Sequence, residues 1–326
     1  MKLIRPTTIL KVEQLSHQNI ATTVGNCASL AALLEVSAYP KPGNIHRLND
    51  FPETTYEHFL ASGVALGSVM GEVAERSSQT KDYASIGLGR GIREAVDEMF
   101  QWQRGGNIHL GVILLFTPLS AGAGAMLSGG VVSVEALREQ TRDIIVCSTK
   151  LDSVDIYSAI NKAMSSEHLG DSKELDVTDS GSTEMIMREN ITPLEIFDIC
   201  KDSDMICREW VTGFQTVFKE GYPYLQRRLN EGASVNDATV DTFTKILSEN
   251  PDSLIARKSG VEQAKLVSDE ARKIMEAGGT TSTEGMNMLW SLDEKLKEHN
   301  GKLNPGTTAD LTAASLFVLL LNGWRP

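Results

Sequence analysis

The stretch Leu34–Arg47, LEVSAYPKPGNIHR, decides how this chain is read. Upstream, roughly residues 16–38 carry small and aliphatic side chains at helical spacing with no internal proline, which predicts a packed helix. Pro40 stops it. The two prolines around Lys41 fix backbone torsions on either side, and Gly43 permits a conformation that a side chain would forbid, so the turn is stiff. Lys41, His46 and Arg47 supply positive charge and Asn44 an amide, a set suited to gripping phosphate oxygens. A plain helix stop with solvated charges fits the same residues.

Composition sets the outer limits. At 326 residues, 41% apolar and 23% charged, the chain can build the core of a soluble globular protein. A formal charge of −12 and a pI near 5.1 exclude the broad basic face of a nucleic-acid binder, so local cations are read as serving small anions. The opening MKLIRPTTIL has no sustained apolar signal core, and Pro118 with several glycines interrupts the apolar run Leu110–Leu127. Leu311–Leu321 is too short to span a bilayer. Cytoplasmic residence without membrane contact is the resulting expectation. Cys27, Cys147, Cys200 and Cys207 show no metal-ligand spacing, and the last two fall two helical turns apart on one face, which predicts core thiols.

Helix signals run from end to end, and the β-branched patch Gly130–Val134 has no hairpin partner, so the predicted fold is all-α. Thr54 with Glu57 reads as a capping box for a helix reaching about Arg76. Ser133 caps a helix to about Cys147, and Asp152 caps another that contains Asp155. Thr192, Pro193 and Glu195 open a further helix, read as running through Asp198–Trp210 to Gly221. Along it Asp198, Asp202 and Glu209 are spaced so that two or three share a face. Gly170–Met185, rich in Asp, Ser, Gly and Thr, reads as a surface loop or flap. With no linker evident, residues 1–326 are expected to form a single compact multi-helix domain.

Three more polar turns abut apolar helices. GGNIHLG, Gly105–Gly111, opens the most apolar helix, and glycines beside Asn107 and His109 would let an anion or nucleotide approach unpaired N–H groups. Asn107 as a simple helix cap, with His109 a partly buried spacer, fits as well. DSLIARKSG, Asp252–Gly260, joins an acid to Arg257 and Lys258, cations that suit a triphosphate or simply answer a helix dipole. NPGTTADL, Asn304–Leu311, caps the last apolar helix with Thr307, Thr308 and Asp310. Four such turns predict helix ends converging on one nucleotide pocket. Asp152 and Asp155, three apart, could hold a divalent cation through waters, and acids are also common in any first helical turn.

PKPGNIHR, GGNIHLG, DSLIARKSG and NPGTTADL, in this order and across nearly the whole chain, resemble the triphosphoribosyl-dephospho-coenzyme A synthase family. The resemblance implies an all-α fold and an unusual use of ATP. The 2′-hydroxyl of 3′-dephospho-coenzyme A displaces adenine from the ribose, and the triphosphate stays attached. The chain departs from the family pattern at several points. His46 stands where PKPGLVDR has an acid, NDFPETTYEHF replaces a His-Asp-Met segment, Gly106-Asn107-Ile108-His109 stands for GNTH, and Asn304–Leu311 replaces SPGGSADL with threonines for the small pair. This describes a divergent branch of the family.

Glycosyl transfer from ATP passes through an oxocarbenium-like state, which wants a carboxylate near the ribose, a proton donor to adenine and charge cover for the triphosphate. Under the resemblance, Lys41, Arg47, Arg257 and Lys258 hold phosphates, and Gly43, Asn44, His46, Thr307 and Thr308 belong to the same ATP site. Mg²⁺ would sit on carboxylates drawn from Asp152, Asp155 or Asp202. Asp310 or Asp252 would act as base or ribose ligand, and Asn107 and His109 would meet base or ribose. Two other classes suit the same features: a Mg²⁺-dependent N-glycosidase or ADP-ribose hydrolase with water as acceptor, and a nucleotide-binding helical module without catalysis.

Overall fold

The computed structural model describes residues 16–164 and 180–326. Among them are fifteen α-helices and no strand, as the helical signals predict. The first six are α1 (His17–Ser37), α2 (Tyr56–Ser78), α3 (Leu88–Trp102), α4 (Leu110–Ser128), α5 (Val134–Val146) and α6 (Lys150–Ala163). Then come α7 (Ser180–Glu189), α8 (Pro193–Cys200), α9 (Met205–Thr212), α10 (Tyr222–Asn230) and α11 (Val235–Glu249). The chain closes with α12 (Ser253–Ser259), α13 (Val261–Glu276), α14 (Thr283–Lys297) and α15 (Gly306–Leu321).

Side-chain caps start many of these helices. Ser16, Ser133 and Ser234 each accept a hydrogen bond from the backbone N–H three residues on, and Thr192 with Glu195 forms a full capping box at α8. Two caps differ from expectation. Thr55, not Thr54, caps α2, and its N–H donates to His58 Nδ1 at 3.0 Å. Thr149 caps α6, while Asp152 occupies the third helical position and returns a carboxylate oxygen to the Thr149 N–H at 2.7 Å.

The segment after Thr192 is broken where a long helix was expected. α8 stops at Cys200 and α9 starts at Met205, and a disulfide joins Cys200 to Cys207 across the turn. These two are therefore not core thiols on one helical face. Asp198 pairs with Lys201, Asp202 is exposed, and buried Glu209 accepts from the N–H groups of Thr216 (2.8 Å) and Val217 (3.0 Å), so the three acids share no face. Of the expected loop Gly170–Met185, residues from Ser180 belong to α7 and 170–179 lie outside the described residues.

The core is built on α4. Pro118 does not interrupt the apolar run, which forms one helix with Pro118 inside it. A proline lacks the N–H that would reach the carbonyl four residues back. That carbonyl, Leu114 O, instead accepts the indole N–H of buried Trp210 at 3.0 Å. By length and composition both α1 and α4 could cross a bilayer, but 94% of the apolar window of α4 is buried inside the molecule, as in the core helix of a soluble protein. Small residues along Ala121–Met126 let α4 lie against Ala74 of α2 and Thr141 of α5.

Two apolar clusters result. The larger gathers α1 to α6 with α8, α9, α10 and α15, and the smaller gathers α11 to α14. Helices α11 and α15 contribute to both: Ile246 and Phe317 face one, Phe243 and Ala309 the other. Replacing Trp210 with Phe keeps most of the apolar contact but leaves the Leu114 carbonyl unpaired. The expected loss is about 1–3 kcal/mol of unfolding free energy, read from urea melts of the W210F variant.

Candidate functional site

The PKPGNIHR turn lies inside the protein. Lys41 is 0% exposed, forms an ion pair with Glu35 in the last turn of α1, donates to Asn44 Oδ1 at 3.2 Å, and lies 6.0 Å from the centre of the Phe243 ring. Burial pushes the Glu35 pKa up and the Lys41 pKa down, each restrained by the charge of the other. Gly43 adopts φ +71°, and its N–H donates to Asp293 Oδ1 at 3.0 Å. A Cβ there would stand 2.7 Å from that of Leu296, so the turn needs glycine.

His46 is also enclosed. Its Nδ1 accepts from the Leu48 N–H at 3.2 Å and its Nε2 faces Asp293 Oδ2 at 3.2 Å, while Lys297 reaches the same oxygen at 2.5 Å. Burial lowers the His46 pKa, partly offset by its bond with Asp293. Asn44 Nδ2 donates to Asn304 Oδ1 at 2.8 Å, tying the first polar turn to the fourth. Arg47 is exposed; it donates to the Ser37 carbonyl at 2.7 Å and lies 5.2 Å from the Tyr39 ring centre. Lys41, Asn44 and His46 are thus committed to protein partners, whereas the sequence reading had them turned toward phosphate.

The other turns meet at helix starts. Fully buried Asp252 accepts from four donors: the N–H groups of Leu254 (2.8 Å) and Ile255 (3.1 Å) in α12, and the N–H (2.7 Å) and hydroxyl (2.8 Å) of Thr308 in α15. Burial nevertheless raises its pKa. Ser253 donates to Thr307 Oγ1 at 3.1 Å and accepts the Met205 N–H at 3.2 Å, which brings in α9. Asp204 caps α9 and stands 3.8 Å from Arg257. The start of α4 joins from the side of Asp310, because a Cβ on Gly111 would collide with the Asp310 carboxylate.

Asp310 differs from its neighbours. It is partly exposed and makes no hydrogen bond or ion pair with any described residue. Burial first, then the charges of Glu35, Asp252 and Asp204, lift its pKa well above the ordinary carboxylate range against a smaller pull from Lys41. At the same helix start His109 is only 2% exposed, with Nδ1 2.7 Å from Ser62 Oγ and its ring edge-on to Phe59 at 5.0 Å. Burial and then the Lys41 charge lower its pKa to about 3, so the ring is neutral at physiological pH. Exposed Asn107 lies ahead of α4, whose N-cap is His109, and accepts the Leu110 N–H at 3.2 Å. Lys258 donates to the Gly301 carbonyl at 3.3 Å, and burial followed by Arg257 lowers its pKa.

The expected metal ligands are not brought together. Asp152 is spent on Thr149 and on the Gly89 N–H at 2.9 Å, Asp155 pairs with Arg93 at 2.9 Å, and Asp202 stands in the α8–α9 turn. Among the described residues no group of three or more His, Cys, Asp and Glu is placed to hold a metal ion. Spacing along the chain does not reveal whether a carboxylate is already used as a cap. An open groove of about 520 Å³, lined by Tyr224, Arg227, Lys245 and Arg272 among others, shares no residue with the cluster, and its cations are paired with nearby acids. Sequence reasoning missed Glu35, Asp204 and Asp293, and had Asn304 only as the first residue of the fourth turn. Only Glu35, an acid inside an apolar helical run, carries a signal of its own.

These features define an all-α protein in which helix starts and an unpaired carboxylate gather beside a buried cation. Residues 21–326 match the family described as CitG, ATP:dephospho-CoA triphosphoribosyl transferase, and the chain belongs to that family. A Pseudomonas syringae protein named "Probable 2-(5''-triphosphoribosyl)-3'-dephosphocoenzyme-A synthase" is 24% identical over 92% of this chain and 91% of its own length. An Azotobacter vinelandii protein of the same name is 34% identical over 32% of this chain and 36% of its own length. A structure titled "Crystal structure of putative triphosphoribosyl-dephospho-coA synthase from Archaeoglobus fulgidus" superposes with a TM-score of 0.64 at 30% identity, covering 83% of this chain and 100% of that one.

The Glu35–Lys41 pair allows a direct test. Lys41→Met strands a buried carboxylate and is expected to cost about 3–5 kcal/mol of stability. Adding Glu35→Gln should recover most of that loss in urea unfolding. A double variant no more stable than the single one would show that the pair does not hold the turn.

Proposed function

We propose that the protein transfers the triphosphoribosyl group of ATP to the 2′-hydroxyl of 3′-dephospho-CoA, giving 2′-(5″-triphosphoribosyl)-3′-dephospho-CoA and adenine. The hydroxyl oxygen bonds to ribose C1 as the C1–N9 bond breaks. The electron pair of that bond leaves with adenine, the hydroxyl proton passes to a base, and adenine takes up a proton. Asp310 is the base in this reading, because a carboxylate with a raised pKa accepts a proton more readily near neutral pH, and its charge would steady the oxocarbenium-like ribose. Neutral His109 offers an N–H to the purine. Arg257, its side chain 38% exposed and loosely held by Asp204, is the cation freest to turn toward the triphosphate, with Lys258 and Arg47 next. Magnesium would enter with the triphosphate of ATP. The observation that carries this reading is the unpaired carboxylate of Asp310 in α15, packed against Gly111 in the first turn of α4, in a chain of this family.

ATP labelled in the base should yield free adenine only when dephospho-CoA is present. ADP or pyrophosphate in its place would exclude the reaction. Ribose triphosphate formed without any acceptor would mark a hydrolase, and tight ATP binding without turnover a binding module.

Asp310→Asn should lower kcat by about 10²–10⁴-fold. In the wild type kcat/KM should rise with pH through the raised Asp310 pKa, because the base must lose its proton, and the variant should lack that limb. The stability effect has the opposite sense. With the folded pKa above the unfolded value, the folded state holds the extra proton between the two, so stability falls as pH rises through that window. D310N should therefore be at least as stable as the wild type in thermal melts at neutral pH, while losing activity.

A further inference from the structure

Ser62 and His109 form an isolated polar pair inside the protein. Ser62, in α2, is fully buried, and its hydroxyl lies 2.7 Å from His109 Nδ1. Helical hydroxyls often turn back on the carbonyl four residues earlier, as those of Thr117, Thr141 and Ser315 do here. Ser62 makes no such bond, so His109 Nδ1 is the acceptor available to its O–H among the described residues. A hydroxyl donated to Nδ1 leaves the imidazole proton on Nε2. A backbone carbonyl at the same place would do the reverse, holding Nδ1–H and turning Nε2 into an acceptor.

His109 Nε2 has no hydrogen-bond partner among the described residues. The ring is held by Phe59 and precedes by two residues the glycine on which the Asp310 carboxylate rests. We propose that Ser62 is a positioning residue that selects the Nε2–H tautomer of His109, so that a neutral N–H donor is presented to a ring nitrogen of the departing purine. The proposal rests on the reaction described above. A hydrogen bond of this kind strengthens as negative charge gathers on the base while the C1–N9 bond breaks, so it acts more on the transition state than on bound ATP.

Nitrogen-15 NMR of the full-length protein, with the His109 signals assigned from a His109→Gln variant, reads the tautomer directly. The wild type should show a protonated Nε2 and an unprotonated Nδ1. Ser62→Ala should give a mixture of tautomers and about a tenfold fall in kcat for adenine release, with KM for ATP within about twofold. Ser62→Thr, which restores the hydroxyl, should restore both. A wild-type Nδ1–H tautomer, or an Ala variant with unchanged tautomer and kcat, would overturn the proposal. If no adenine is released by the wild type while the tautomer still responds to Ser62→Ala, the tautomer assignment stands and the reading of the reaction fails. If adenine is released and the tautomer does not respond, the Ser62 assignment fails alone.

Discussion

Asp252 is a carboxylate with no exposed surface and four donors, and much of the site is arranged around it. An ionised group can be buried only when hydrogen bonds and local dipoles replace the water it has lost. Here the donors come from two helix starts, with Thr308 lying 56 positions from Asp252 in sequence, and both dipoles favour the anion. One side chain therefore sets α12 against α15. With that contact made, Arg257 follows from the register of α12 and Asp310 from that of α15. Charge on Asp310 is costly first because the carboxyl is buried and then because Glu35, Asp252 and Asp204 lie near it, with Lys41 offsetting only part of their field.

The first polar turn follows the same logic with opposite sign. A buried ammonium needs a carboxylate, and Lys41 finds it on the helix it has just left. Gly43 and His46 both lean on Asp293 of α14, so the turn is held from the smaller apolar cluster as well as from α1. His46 replaces the acid of the family pattern, and Asp293 accepts a hydrogen bond from its Nε2. Lys41 then acts at a distance. Its charge helps keep His109 neutral and draws Asp310 toward its ionised form, which are the two states the proposed transfer uses.

Helical class and most helix starts were legible because the signals are local. Ser133 and Thr192 both cap where a short-range reading puts them. Thr54 and Thr55 are chemically the same, so their order could not be resolved from residue type. Asp152 looked like a cap because a capping box can be read from either end. Cys200 and Cys207 suited one helical face until the turn between α8 and α9 folded that spacing back into a disulfide. The four polar turns stood out through their glycines and prolines, but Asp293 sits in an ordinary amphipathic helix and nothing marks it.

By itself the sequence determined that this chain is helical, that its family pattern is shared almost throughout, and that unusual turns interrupt its apolar helices. Hydrophobic period, capping residues and backbone constraint act over a few residues, so they survive in the linear text. Only the tertiary structure decided which of the charged groups are free. Lys41, His46, Asp252 and Asp152 are spent on partners, whereas Asp310 is not, and a side chain three positions away says nothing of donors arriving from another helix. Commitment of a charge depends on burial and on partners distant in sequence, and those exist only once the helices have packed.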